Sequence, residues 1–226
     1  MITNIFLDIE TVPGDTFYQK QIAAAVLPPA NYSKPETIAQ WWETKGEQAK
    51  EDAVHATSLM PAYNRIVCLS WAVGDEDPTT FSGDSEEAIL RCFFEDLAGQ
   101  LEKTHNGWSY RVIGHNVIGF DLPCIWHACI RNNVGYSLLP HPRNIKPWET
   151  SKAVDTLYQL AGTDRKGMSL GNLAKLYGLN DAYPDIDGSM VWQMWKDGME
   201  TQVADYCAGD VRLVRALYYR IREFLP

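Results

Sequence analysis

Near the start of the sequence two acids stand either side of one apolar residue, Asp8-Ile9-Glu10. In an extended strand, positions i and i+2 share a face, so both carboxylates would lie a few ångströms apart. Like charges that close repel, and one would take up a proton unless a bound divalent cation held both. Two solvated acids on an edge strand are the ordinary alternative. A second group is Gly114-His115-Asn116-Val117-Ile118-Gly119-Phe120-Asp121, with the composition of a loop that leaves a strand and ends in an acid at a helix start. Here Asp121 could simply cap the helix, His115 could be a satisfied buried histidine, and Phe120 could be core. The third group is Tyr206-Cys207-Ala208-Gly209-Asp210. Spacing i, i+4 puts the phenol and the carboxylate on one helix face, and a glycine there costs roughly 1 kcal/mol, which suggests close approach of another group. A surface Asp beside a core Tyr is the bland reading.

The elements around these groups can be read from periodicity. Residues 2–9 alternate, with Ile5, Leu7 and Ile9 on one side and Phe6, Asp8 and Glu10 on the other, the pattern of a strand that Pro13-Gly14 ends. A polar stretch leads to a helix over about 35–51, with Ile38, Trp41 and Trp42 on its apolar face. Residues 65–74 are apolar on both faces, as suits a central strand, and 78–81 can return as a short antiparallel partner. Residues 85–101 form an amphipathic helix with Ser85 as N-cap. Residues 111–114 read as a strand, 122–132 as a helix, 154–157 as a strand, and 169–176 and 189–195 as short helices. The longest helix spans 201–224. Together these predict an α/β protein with a mixed sheet and helices on both faces. No repeat or flexible linker divides 1–226, so a single domain is expected, with a partly helical insertion at about 14–64.

Taken together, D-x-E on the first strand, H-N-x-x-x-F-D at a strand-to-helix loop and Y-x-x-x-D on a late helix resemble the three exonuclease motifs of the DEDD superfamily, in its tyrosine-containing branch. Residues 59–68 (LMPAYNRIVC) and 168–174 (MSLGNLA) are similar to segments of predicted exonucleases related to the proofreading domain of family B DNA polymerases. The resemblance implies a ribonuclease-H-like fold, a mixed sheet of about five strands flanked by helices. It implies a 3′–5′ exonuclease that hydrolyses phosphodiester bonds at the 3′ end of DNA, most readily single-stranded, and releases nucleoside 5′-monophosphates. Two Mg²⁺ or Mn²⁺ ions would suit the hard oxygen ligands and stabilise the attacking and leaving oxygens. By resemblance, Asp8 would bridge the ions, Glu10 and Asp210 would complete the nucleophile-side site, Asp121 would hold the second ion through water, and Tyr206 would orient the attacking water. Asn116 and Phe120 would contact the terminal nucleotide, Phe120 by stacking, with His115 a weaker candidate. An exoribonuclease of the same superfamily, or an inert module that keeps the fold for docking to replication or repair proteins, are the alternatives; all four carboxylates and the tyrosine being present disfavours the inert one.

The bulk of the sequence bounds these readings. A net charge of −9 over 226 residues is unusual for a nucleic-acid enzyme. Residues 36–104, however, hold 14 acids against five bases, so the rest of the chain sums to zero. With four of its acids neutralised by two divalent ions, that remainder would present about +4 to a polyanion. Arg143, Lys146, Lys152, Arg165 and Lys166 could line a phosphate track or merely a solvated loop. Asp155 could be a further acid near the site, but a cap to the next helix is its more ordinary role. The eight tryptophans are expected mainly in the core. Five cysteines without a C-x-x-C pair argue against a disulfide framework or structural zinc and for a reducing, cytoplasmic setting. No signal peptide can be drawn at the N-terminus, no apolar run approaches a membrane span, and 226 residues leave no room for a polymerase of ordinary size.

Overall fold

The computed structural model describes residues 2–103, 109–161 and 168–225. Among them, five strands form one mixed sheet: β1 (Thr3–Pro13), β2 (Asn64–Val73), β3 (Thr79–Ser82), β4 (Tyr110–Gly114) and β5 (Ala153–Asp155), in the order β3-β2-β1-β4-β5. β2 runs antiparallel to β1 and β3, while β4 and β5 run parallel to β1. The helices are α1 (Thr16–Ala24), α2 (Pro35–Ala56), α3 (Glu86–Lys103), α4 (Asp121–Arg131), α5 (Thr156–Ala161), α6 (Leu170–Tyr177), α7 (Val191–Lys196) and α8 (Glu200–Ile221).

The alternation in β1 sorts the helices. Ile5, Leu7 and Ile9 join Leu69 and Trp71 on one face, where Leu90, Phe93 and Leu97 of α3 and Leu122 and Ile125 of α4 pack on them. Phe6 joins Ala72, Ile113 and Val154 on the other, under Val211, Val214 and Tyr218 of α8. Each such side chain removed from water contributes roughly 1.5–3 kcal/mol, so two hydrophobic layers hold α8 and α4 on opposite sides of one strand. Asp8 and Glu10 share the face of Phe6 and therefore look toward α8.

Helix ends are set by local chemistry. Ser85 accepts the Ala88 N–H at 3.2 Å ahead of α3, whose first turn carries Glu86 and Glu87. Ser169 accepts the Asn172 N–H at the start of α6, and Gly178, left-handed at φ 63°, closes that helix. Three expectations shift. The strand placed over 154–157 ends at Asp155, because the Asp155 carboxylate accepts the Leu157 and Tyr158 N–H groups and starts α5. The polar stretch after Pro13 contains α1, which buries none of its residues and so leaves no apolar period to read. Asp121 is not the cap of α4 but its first residue; Phe120 holds the cap position. Trp41 and Trp71 lie in the core, whereas Trp148 is exposed.

Candidate active site

β1 pairs with β2 over nearly its whole length but with β4 only from Thr3 to Phe6. Beyond Phe6 the β4 side of the strand is therefore vacated by the sheet, and α4 begins there. Asp121, 3% exposed, lies near the backbone of Ile9, whose amide, with that of Asp121 itself, favours the charged carboxylate. On the strand's α8-facing side, Asp8 lies opposite Ser70 and Glu10 opposite Cys68, and the register shifts just after Glu10. That bulge increases local twist and interrupts the ladder just after the second carboxylate, beyond which pairing resumes at Thr11 with Ile66.

α8 brings the last two groups. Its inward stripe, Val203, Cys207, Val211 and Val214, fixes the helix's rotation, which turns Tyr206 and Asp210 toward β1. One oxygen from each of Asp8, Glu10 and Asp210 lies within 4.8 Å of the others. The Tyr206 hydroxyl lies near the Asp210 carboxylate and stabilises its charged form. Asp121 stands outside this trio but close enough for its charge to act on Asp8 and Glu10. Cys207 donates from Sγ to Oδ2 and to the backbone oxygen of Asp8, both at 3.5 Å.

The electrostatics result from burial and crowding of like charge. Burial pushes Asp8 well above the usual carboxylate range, helped by the charges of Asp210, Glu10 and Asp121 and opposed by the Cys207 thiol. Glu10 is raised likewise, by burial first and then by Asp210, Cys68 and Asp121. Asp121 is pushed up to about 8 by burial, with its own amide and that of Ile9 pulling down and Asp155 and Asp210 pushing up. Burial raises Asp210 to about 7, against the pull of the Tyr206 hydroxyl and with Asp181 adding to it. Burial and the three nearby carboxylates hold the Tyr206 phenol far above its ordinary value. Among the described residues, no ion pair with Lys, Arg or His includes any of the four carboxylates. An acidic, cation-poor cluster of hard oxygens fits a divalent cation of the Mg²⁺ or Mn²⁺ kind, which would relieve the repulsion that the protein leaves standing.

The loop between β4 and α4 is fixed differently from what its composition suggests. Asn116 is left-handed at φ 65°, with its N–H donated to Asp155 at 2.9 Å. Both ring nitrogens of His115 are engaged by the protein, Nδ1 with Thr156 Oγ1 at 3.0 Å and Nε2 with the Met168 carbonyl at 2.8 Å. Burial lowers its pKa, so the ring is a neutral brace between β4, α5 and the approach to α6. Phe120 is half-buried at the rim of the core. Arg143 is exposed; Arg165 and Lys166 lie outside the described residues.

Two contacts had no sequence signal beyond a residue type. A Cβ on Gly209 would lie 2.7 Å from Cδ2 of Tyr183, so the close approach expected there is to an aromatic ring. That ring meets Tyr206 edge-on, centroids 6.4 Å apart and planes at 81°. Cys207 was visible only as a member of the apolar stripe. Tyr206 and Asp210 also line a cavity of about 300 Å³ walled by α6 and the 181–188 segment.

Comparison with known proteins bears on the family and the fold. No curated protein matches the sequence. Among solved structures, the family B DNA polymerase of Pyrobaculum calidifontis is similar at a TM-score of 0.60 and 15% identity, over 99% of this chain and 25% of that one. E. coli exonuclease I, in a zinc-bound complex with single-stranded DNA, aligns at a TM-score of 0.49 and 13% identity, over 99% of this chain and 41% of that one. The chain thus spans about a quarter of the polymerase and two-fifths of exonuclease I. Residues 60–225 match the family model described as "Predicted 3'-5' exonuclease related to the exonuclease domain of PolB". That match takes in β2 to α8, including Asp121, Tyr206 and Asp210, and the chain accordingly belongs to this family of 3′–5′ exonucleases.

Proposed function

We propose that the protein removes nucleotides from the 3′ end of single-stranded DNA, with Asp8, Glu10, Asp121 and Asp210 holding two divalent ions. The observation that carries this is the convergence of Asp8, Glu10 and Asp210 oxygens to within 4.8 Å, from two elements almost 200 residues apart in sequence, with no ion pair to offset them among the described residues. The family's relation to a DNA polymerase exonuclease domain favours DNA over RNA. Asp8, Glu10 and Asp210 would hold one ion, and Asp121 would face the second. When bound, such ions supply the positive charge that stabilises the attacking and leaving oxygens of a phosphorane-like transition state.

The chain's own residues would do the rest. Tyr206, its hydroxyl near the Asp210 carboxylate, keeps a lone pair to accept from the attacking water, which it orients toward phosphorus. Because its pKa is held above the ordinary value, the phenol keeps its proton and acts by position rather than as a base. Asn116 and Phe120, at the turn into α4, would engage the terminal nucleotide, Phe120 by stacking on its base. His115, with both nitrogens occupied, would support that turn rather than touch the nucleotide through nitrogen. Product would leave as a nucleoside 5′-monophosphate.

The test is direct. Purified protein with Mg²⁺ or Mn²⁺ is given matched single- and double-stranded DNA and RNA oligonucleotides labelled at either end. Stepwise loss of 3′-terminal mononucleotides, fastest on single-stranded DNA, is expected. Faster turnover of RNA would replace DNA as the substrate, and no mononucleotide release at all would overturn the enzymatic reading.

A further inference from the structure

Asp155 is a buried acid that hydrolysis itself does not use, 2% exposed at the last position of β5. Among the described residues no ion pair includes it. Its charge is instead met by four backbone N–H groups. Oδ1 accepts from Asn116 at 2.9 Å, Leu157 at 3.1 Å and Tyr158 at 3.2 Å, while Oδ2 accepts from Ile118 at 3.1 Å. Two of these donors start α5, the ordinary capping role. The other two belong to a different element, the turn between β4 and α4.

The sheet explains how one side chain serves both. Gly114 and Asp155 are register partners at the ends of adjacent parallel strands, so the carboxylate lies beside the point where the chain leaves β4. Alternate N–H groups that converge on one point, with a left-handed residue at their start, form a nest for an anion. In this protein the nest encloses a built-in carboxylate, which fixes Asn116 at φ 65°. The Asn116 carbonyl then accepts from Gly119 at 3.0 Å and Phe120 at 2.8 Å, and the turn delivers Phe120 and Asp121 to the head of α4. A single pinned amide thereby sets the orientation of three site residues.

We infer that Asp155 is a positioning residue of the exonuclease site, whose carboxylate sets the turn that presents Asn116 and Phe120 to the 3′-terminal nucleotide. The inference rests on the proposed function. Asp155→Asn is nearly isosteric but turns one carboxylate oxygen into an NH₂ donor. If that group faces the Ile118 N–H, two donors oppose and the turn is released.

The readout is discrimination between a 3′-terminal nucleotide that carries a base and an abasic one, measured as kcat/KM on otherwise identical DNA strands with Mn²⁺. In the unsubstituted protein the base should be favoured about tenfold if Phe120 stacks on it. In Asp155→Asn, assayed well below its melting temperature, that ratio should fall to about twofold. Faster hydrogen exchange at the Asn116 and Ile118 amides should accompany it. Asp155→Ser, which keeps a helix cap but cannot reach the turn, should behave alike and serves if the Asn variant folds poorly. An equal fall on both substrates, or none, would overturn the positioning role and make Asp155 a cap for α5 alone. Absence of turnover in the unsubstituted protein would instead overturn the exonuclease reading.

Discussion

Replacing Gly209 by alanine opposes two effects of known size. Inside a helix, alanine is favoured over glycine by about 1 kcal/mol. At Gly209, however, the added Cβ would meet Tyr183 Cδ2 at 2.7 Å and Cε2 at 2.9 Å, against ordinary contact from 3.4 Å. The ring must retreat by about 0.7 Å, and forcing a packed group aside typically costs about 1–3 kcal/mol. The clash therefore wins by about 1 kcal/mol, a fall in melting temperature of roughly 3 °C for a chain of this size. Because the displaced ring packs edge-on against Tyr206, turnover should fall more than stability does, by about tenfold, as expected when a positioned group shifts by a fraction of an ångström. Gly99 provides the internal control. It too lies within a helix, α3, but nothing stands within 4 Å of its would-be Cβ, so Gly99→Ala should raise the melting temperature by roughly 3 °C and leave turnover unchanged. Thermal melts and initial rates on a 3′-labelled strand measure both. If the two substitutions stabilise equally and Gly209→Ala turns over normally, the Tyr183–Tyr206 contact has no part in the site.

Asp8→Ala should reduce turnover by at least about 10³-fold with the fold intact by circular dichroism, whereas Tyr206→Phe, which only loses the hydroxyl that orients water, should cost about 10–100-fold; equal activity of Asp8→Ala and the parent would sink the metal assignment. The metal-free protein should lose stability steadily between about pH 4 and pH 8. Asp210 and Asp121 have folded-state pKa values raised to about 7 and about 8, so their contribution is complete below the unfolded value of 3.8 and is lost as pH rises through the raised ones. Mg²⁺ or Mn²⁺ should restore it, giving a metal-induced rise in melting temperature that grows over the same range. A metal effect that shrinks with rising pH would contradict the sign.

Much of this architecture is legible because apolar patterning and site chemistry coincide. The alternation of residues 2–10 assigns Asp8 and Glu10 to the face of Phe6, and the stripe of α8 fixes which way Tyr206 points. Helix starts at Ser85 and Ser169 are written in residue type. What escapes the sequence is set by partners distant along the chain. The end of β5 depends on an aspartate that prefers four amides to one more ladder pair. The ring against Gly209 arrives from a segment 26 residues earlier, where no local pattern marks it. His115 can be read as a nucleotide contact or as a satisfied buried histidine until Thr156 and Met168 are seen on its two nitrogens. α1, with no buried residue, offers periodicity nothing to detect.

The junction at the far end of β1 has a consequence for how such a chain can diversify. Pro13 and Asn64 are register partners, so the fifty residues between them leave and re-enter the sheet about one strand spacing apart. Ser58 clips the return by accepting from both Thr11 at 2.7 Å and Asn64 at 3.1 Å. The entropy of closing a loop grows only with the logarithm of its length, so exchanging this excursion for a hairpin of five residues would alter the closure cost by just about 2 kcal/mol. The strand that carries Asp8 and Glu10 is thus insulated from the length and content of the excursion at its end. A lineage could rebuild or shed those residues while the carboxylates stay in register.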